Sequence, residues 1–537
     1  MRQQSYSSYL SSYLQHKNRE EITATILVST ALILGVFVRL VYLFQDDFPL
    51  NDGGLFYTMV RDLQANRFLI PAVTQYNLSD LPFAYPPLAF YLTGFLNSFF
   101  GFDLLSLMRW LPLVFNILAI PIFYHFAKQL FKEPIRAGLA TLFFALLKPG
   151  YEWLIMGGGL TRSPALFFSL LTLDRYLVLI QSEEKRTRRI ITVILLYSLT
   201  FLFHMEIGWF TTYSLALLWF FKGRSWKNFI SSAIIAAGAF IVTSPYWIQV
   251  IRHHSLQPFL AGLFSGGYSP FLSVFELFYF NFTEELIFPI LAIIALIGLV
   301  ITLIRREFLF PAWLVLNAIM DARSVNRSDV IPAAMLISIG IVDGVFLLIR
   351  KYGSKNKTNI DGSEPGGGLF TRSGILIIYV LCAQVVLTAY LARYTDEALT
   401  HILSKGDRQA MTWIKENTSP DSQFISLPSS KWWETDAVGE WFPALTERNN
   451  VLTVQGSEWK PNYQQKIADY KELNSTIKSG RLTANALLEK YPNVNYIYVP
   501  LSFFRDSAEL AMLKISLEAF PLLYSNKDVE VYSVRGN

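Results

Sequence analysis

The sequence predicts a polytopic α-helical membrane protein of about eleven spans that carries a C-terminal α/β domain outside the membrane. Three observations lead to that fold class. Hydrophobic residues make up 52% of the 537 positions and charged residues only 16%. Apolar runs near or above the roughly 18 residues that cross a bilayer recur along the first 393 positions. Beyond Arg393 long polar stretches take over, with 15 Lys and Arg against 18 Asp and Glu in a chain whose overall charge is +5. The membrane part is therefore basic and the tail acidic.

The apolar runs fall at 24–44, 105–127, 137–148, 164–181, 190–203, 207–221, 229–249, 286–304, 308–320, 330–349 and 374–393. Each is a candidate span on hydropathy. Several are short, which is tolerated where a helix lines a protein cavity rather than lipid. The first run follows a basic, polar segment (Arg2, Lys17, Arg19), exceeds the core of a signal peptide and lacks a small-residue cleavage site. It reads as a retained anchor, with residues 1–23 on the cytoplasmic side. The single cysteine, Cys382, lies in the last run, so an intramolecular disulfide is impossible.

Charge sets the orientation. Lys128, Lys132 and Arg136, then Lys185, Arg186, Arg188 and Arg189, then Lys222, Arg224 and Lys227, then Arg305 and Arg306, then Arg350, Lys351, Lys355 and Lys357 fall in alternate loops. Positive loops stay in the cytoplasm, so the loops at 45–104, 149–163, 250–285 and 321–329 face outward. An odd number of spans sends the tail outward too. The membrane domain is then 24–393, with a large first outer loop at 45–104. The Gly- and Ser-rich stretch 352–368 reads as a flexible cytoplasmic loop.

Residues 394–537 read as one α/β domain of ordinary size. "QFISLP", "VNYIYVPL" and "VEVYSV" have strand character, and "DRQAMTWIKEN" and "AELAMLKISLEAF" have helical spacing. Basic residues alternate with spans instead of forming one stripe, which excludes a nucleic-acid surface. Phosphate-cradling P-loop and dinucleotide motifs are absent from the sequence. That argues against a soluble nucleotide or nucleotide-sugar substrate.

Asp52 is the leading functional candidate, because a carboxylate at the edge of a membrane bundle is costly unless it binds a substrate or a partner. It lies in "NDGGLFYTMVRDL", where it could equally cap the helix that follows. That segment, then "YPPLAFYL", then "MRWLPLVFNILAIPIFYHFAKQLF", then "GGGLTRSPALFF", resembles in its order the N-terminal half of the GT-C superfamily of membrane glycosyltransferases. Protein O-mannosyltransferases and bacterial lipid-A sugar transferases belong to that group. The resemblance covers roughly residues 24–350. It implies a helical bundle with an acidic residue in a large first outer loop, a polyprenyl-phosphate sugar as donor and a soluble outer domain.

Sugar transfer from a lipid phosphate to an acceptor needs a base beside the acceptor and cations beside the departing phosphate. Asp52 suits the first role. Arg162 and Arg323, at span ends, suit the second through their planar fork of donors, with Arg39 as a third candidate. The alternative for these arginines is snorkelling to headgroups, or pairing with Asp321 or Glu152. The glycines 157–159 would let backbone approach a ligand, or simply turn the chain between helices. Tyr85, an acceptor- or sugar-binding candidate, opens "YPPLAFYL", a helix expected either to lie along the outer membrane surface and wall the donor groove or to pack against the bundle.

Glu152 is a further acceptor-side candidate. His204 and Glu206, with Asp52 or Glu152, offer nitrogen and oxygen ligands for a divalent metal, although no cofactor is required by the sequence and no metal-binding motif stands in the outer loops. In the tail, "KWWETD" resembles the Trp-Trp-Asp element by which oligosaccharyltransferases hold a glycosylation sequon. Glu434 stands in place of the aspartate, and the following Tyr-Gly is missing. Trp432, Trp433 and Glu434 are thus either an acceptor- or sugar-binding surface or core packing.

The expected activity is transfer of a sugar from a polyprenyl-phosphate donor to an acceptor at the outer face, among membrane lipids, with the acceptor left open between lipid, glycan and protein. Two alternatives stand beside it. One is an oligosaccharyltransferase-like enzyme; the other is a non-catalytic transporter or lipid-handling protein, which would place ionisable groups at mid-span and show repeat symmetry.

Overall fold

The computed structural model describes residues 2–264, 270–277, 282–285, 288–353, 372–395, 401–504 and 508–534. The stretch 352–368, expected as a loop, lies outside them beyond Gly353.

Among the described residues the eleven apolar runs fall mainly in helices, and six helices there are both long and apolar enough to cross a membrane. Those six are Arg19–Leu43, Leu104–Phe131, Gly159–Gln181, Trp226–His254, Ala322–Ile349 and Arg372–Thr395. The runs at 137–148, 286–304 and 308–320 become the short helices Pro134–Leu146, Ile290–Ile304 and Leu309–Met320. Hydropathy counts apolar stretches. It does not register a helix that stops early because its neighbours cover its ends.

In chain order the helices that place the site are α1 (Arg2–Leu43), α2 (Gly54–Ala65), α3 (Leu88–Phe100), α4 (Leu104–Phe131), α5 (Pro134–Leu146), α6 (Glu152–Ile155), α7 (Gly159–Gln181), α8 (Arg186–Phe203), α9 (Met205–Lys222), α10 (Trp226–His254), α11 (Gln257–Phe264), α12 (Pro270–Glu276), α13 (Ile290–Ile304), α14 (Leu309–Met320) and α15 (Val325–Ile339). Their starts obey local chemistry. The Asp103 carboxylate accepts the Ser106 N–H at 2.7 Å to begin α4, and the Ser225 hydroxyl accepts the Asn228 N–H at 3.2 Å to begin α10. Of the six long apolar helices, the one containing α15 is the most buried and α10 the least. The bundle is thus centred on α15, with α10 at its rim.

The two ends of the bundle differ in charge. At one end lie the basic loops, tied down by Lys128 with Glu21 (2.9 Å) and by Arg136 and Arg305 on either side of Asp343 (2.7 and 2.6 Å). The opposite end carries the long first loop and the N-termini of α4, α7, α9 and α15. There α3 follows Pro87 and leaves Phe95, Phe99 and Phe100 exposed. Such an apolar, aromatic face suits a helix seated at a membrane surface.

The tail forms a five-stranded mixed sheet in the order β4-β3-β5-β7-β6, from β3 (Gln423–Ser426), β4 (Asn449–Asn450), β5 (Tyr496–Pro500), β6 (Leu522–Ser525) and β7 (Val529–Ser533), while β1 (Val73–Thr74) and β2 (Leu81–Pro82) pair within the first loop. β3 runs parallel to β4 and β5, whereas β7 is antiparallel to β5 and β6. Side chains alternate faces along a strand, and here each face buries in a different core. Ile425, Ile497, Val499 and Tyr532 pack into a core of the tail itself. Phe424, Tyr498, Val529 and Val531 point the other way, into a core continuous with the membrane bundle. The tail is therefore fused to the bundle on one face of its sheet.

Candidate functional site

The segment 50–54 is the hinge of the site. Asn51 has φ 47° and Gly53 φ 124°, so the chain turns sharply on either side of Asp52. Gly53, not Asp52, stands at the N-cap of α2, and no side chain caps that helix. The capping alternative is therefore not what the carboxylate does. Asp52 turns away to α7, where its Oδ1 accepts the Gly158 N–H at 2.6 Å and its Oδ2 accepts from Arg162 Nη1 at 3.2 Å.

The glycines beside it are required by close approach. A Cβ on Gly157 would sit 1.8 Å from the Asp52 carbonyl oxygen, and one on Gly158 would sit 2.3 Å from Asp52 Oδ2. Gly157 N–H also donates to the Leu50 carbonyl at 3.0 Å. The run of glycines lets the α7 N-terminus and the Asp52 loop touch through backbone alone. Arg162 lies in the first turn of α7, not in a loop as the sequence suggested. Its Nη1 also bonds the Trp153 carbonyl at 3.2 Å, and its guanidinium lies 5.8 Å from the centre of the Trp153 ring.

Around this pair the structure gathers much of what the sequence singled out. The Tyr85 hydroxyl meets Thr161 Oγ1 at 3.4 Å, with the ring 4.7 Å from Phe56, 5.8 Å from His204 and 5.7 Å from Trp459. Burial pushes the Tyr85 phenol up to about 12, with the Arg162 charge pulling the other way. Glu206 pairs with Arg327, one turn into α15 from Arg323. Arg323 acts through space on Glu206, Glu434 and Glu458, so cations from α7 and α15 face carboxylates of the tail. Next to them a small cavity is lined by Leu154, Leu166, Ile207, Phe210 and Ile331 on its apolar side and by Asp321, Arg327 and Ser328 on its polar side.

Other candidates go elsewhere. Arg39 is fully buried inside the bundle, where Nε donates to Asn116 Oδ1 at 2.5 Å and Nη1 donates to the carbonyls of Gly35 and Ala145 at 2.7 and 2.8 Å. Its guanidinium lies 5.0 Å from the Tyr151 ring centre. It ties α1 to α4 and α5, and this burial removes it from the donor-phosphate set. Glu152 is buried beside Lys148 at 3.2 Å. The His204 Nδ1 accepts the Ile207 N–H at 3.4 Å and so caps α9. That use of its lone pair, and the Glu206–Arg327 pair, leave neither residue poised as a ligand; among the described residues no three His, Cys, Asp or Glu side chains are grouped to hold a metal. Trp433 is buried against Tyr463, edge-on at 6.1 Å, as a packing residue, whereas Trp432 is exposed beneath Lys431, whose Nζ lies 4.9 Å from its ring centre.

The tail supplies residues that the sequence reading missed. Asn51 is held from three sides: its N–H donates to the His401 carbonyl at 2.8 Å, its side-chain amide to the Glu434 carbonyl at 3.1 Å, and its own carbonyl accepts from Trp441 Nε1 at 2.9 Å. Glu440 Oε1 accepts the Gly53 N–H at 2.7 Å, and the Glu440 carbonyl accepts the Tyr76 hydroxyl at 2.7 Å. Burial, reinforced by the Asp52 charge, pushes the Glu440 carboxyl up to about 8. Burial also pushes Glu458 up, with Arg323 and Arg162 opposing it. The only sequence signal for Glu440 was its place in an aromatic, acidic stretch, "GEWFPAL".

No family model and no curated protein matches the sequence. Solved structures do match the fold. The archaeal oligosaccharyltransferase AglB from Archaeoglobus fulgidus, in complex with an inhibitory peptide and a dolichol-phosphate, is 15% identical over 95% of this chain and 74% of its own, with a TM-score of 0.56. The same Archaeoglobus enzyme in complex with Zn and sulfate is 13% identical, covers 94% and 72%, and has a TM-score of 0.54. The arabinofuranosyltransferase AftD from Mycobacteria is 11% identical over 96% of this chain and 41% of its own, with a TM-score of 0.52. All are GT-C glycosyltransferases, and the GT-C-like architecture expected from the order of the motifs is the fold of this chain.

Proposed function

We propose that the protein is a membrane glycosyltransferase that moves a sugar from a polyprenyl-phosphate donor to an acceptor at the outer face of the membrane. The observation that carries this reading is the Asp52–Arg162 pair, a carboxylate and a guanidinium drawn together by helix α7 and the first loop beneath an acidic tail.

In the reaction an acceptor heteroatom attacks the anomeric carbon of the donor sugar. A new glycosidic bond forms there, the bond from that carbon to the phosphate oxygen breaks, and the configuration inverts. Asp52 takes the acceptor proton. Arg162 stabilises the Asp52 carboxylate through Nη1, so the other edge of its fork is the one that can meet phosphate oxygens. Arg323 adds a second positive charge for the departing lipid phosphate, whose charge grows as the bond breaks.

A second reading, transfer to a polypeptide, is favoured by one contact. The Trp432–Glu434 segment that resembles a sequon-holding element sits directly on Asn51, beside the candidate base.

Purified protein incubated with polyprenyl-phosphate mannose, glucose and arabinose, each labelled in the sugar, tests the proposal, with envelope extract or a synthetic Asn-x-Thr peptide as acceptor. Label passing from lipid to extract supports the general reading, and label on the peptide supports the second. Donors that stay intact with every acceptor contradict both.

A further inference from the structure

The residues on either side of Asp52 are held by the tail as well as by the bundle. Asn51 is fixed by His401, Glu434 and Trp441, and Gly53 by Glu440. The fit admits no slack, since a Cβ on Gly54 would lie 2.5 Å from the Glu440 carbonyl oxygen. Phe48 stacks edge-on against Trp441 at 4.7 Å. Arg408 of the tail reaches Asp46 and Asp47 at 3.3 and 2.7 Å. The loop is therefore clamped between the bundle, through Gly157, Gly158 and Arg109, and the tail, and the tail supplies the contacts to Asn51 and Gly53.

We propose that Glu440 is a positioning residue for the transfer reaction: its buried carboxyl group grips the Gly53 amide, and through that amide it sets where the Asp52 carboxylate stands. This rests on the reading of Asp52 as the base. A carboxyl group at this place does two things that a generic packing residue does not. It supplies the acceptor that fixes the turn at Gly53, and it brings a second ionisable oxygen pair beside Asp52. Asp52 on the first loop, Arg162 on α7 and Glu458 of the tail face it, while the Tyr76 hydroxyl donates to the backbone carbonyl of Glu440. Two of these are acidic, so loss of the Glu440 proton sets three carboxylates against one guanidinium and loosens the docking of the loop.

The sign follows from linkage. The docked form keeps the Glu440 proton up to about pH 8, whereas an undocked, solvated Glu440 releases it near its ordinary value. Docking therefore weakens as pH rises between those values and stops weakening above about 8, by at most ~10-fold per pH unit.

Hydrogen exchange of the full-length protein in lipid nanodiscs, read at the Gly53 amide and corrected for intrinsic exchange, tests this from pH 6 to 9. Wild type should lose protection up to pH 8 and level off above it. Glu440→Gln, which keeps the acceptor but cannot ionise, should stay protected with a flat profile. Glu440→Ala should lose about tenfold or more of the protection, and its kcat for transfer from the labelled donors should fall by a similar factor with the donor KM unchanged. The same slope in Glu440→Gln as in wild type, or unaltered protection and kcat in Glu440→Ala, would overturn the proposal. Asp52→Asn separates the two readings: normal transfer in that variant sinks the role of Asp52, whatever the exchange profile shows.

Discussion

Asp52 Oδ2 and Arg162 Nη1 stand 3.2 Å apart, joined across 110 positions of sequence by the approach of two glycines to the first loop. Both side chains are largely shielded, with 13% and 20% of their surfaces exposed, so their interaction is less screened than that of a surface pair. A carboxylate so placed is held in one orientation, by Gly158 N–H on Oδ1 and Arg162 on Oδ2, with lone pairs left over for an incoming proton.

Gly158→Ala tests that geometry without touching either charge. The added methyl would lie 2.3 Å from Asp52 Oδ2 and 3.0 Å from Arg162 Nη1, so the carboxylate and the guanidinium must both be pushed from their places. Overpacking of this kind costs about 1–3 kcal/mol, and displacing a reacting group by about 1 Å can lower turnover ~10²-fold. A lowered melting midpoint with a much larger loss of transfer is the expected result. Wild-type turnover would mean that the pair is not where the chemistry happens.

Arg39→Leu should give the opposite signature. Three oxygens, on Asn116, Gly35 and Ala145, receive its donors, and each buried acceptor left without one costs about 1–3 kcal/mol. The yield and melting midpoint of the variant should drop, while protein that does fold keeps the wild-type KM for the lipid donor. A selective rise in that KM at unchanged stability would return Arg39 to the donor site.

Arg323 separates charge from shape. If its fork meets the donor phosphate, Arg323→Lys keeps the charge and retains part of the donor use, whereas Arg323→Ala raises the donor KM further. Equal wild-type rates for both variants at limiting donor would leave Arg323 a structural role alone.

What the sequence revealed and what it hid divide along a physical line. Asp52, Arg162, Tyr85 and the glycines at 157–159 were legible because local composition marks them: charges at the edges of apolar runs, and three glycines before a helix. Their meeting was not legible from spacing alone, and neither was the close approach of Gly157 and Gly158 to Asp52. Arg39 was misread because a charge near a span end looks the same whether it faces a substrate or three buried carbonyl and amide oxygens. For Trp433 the sequence left a binding surface and core packing both open, and burial against Tyr463 is a matter of packing that spacing cannot show. Strands β3, β5 and β7 announced themselves by β-branched and aromatic runs, whereas β4, "NN", has no strand propensity and exists because the neighbouring edge of β3 accepts it. Glu440 escaped notice because its importance comes from a backbone amide 387 positions away.

The central claim is that Asp52 is the base of a sugar transfer from a lipid phosphate, and Asp52→Asn measures it most directly. The amide retains an acceptor for the Gly158 N–H and nearly the same shape, so the protein should insert, fold and bind polyprenyl phosphate as wild type does. Transfer of labelled sugar should nevertheless fall by about 10² or more, the scale of a lost general base. Near-normal turnover with intact donor binding would contradict the account.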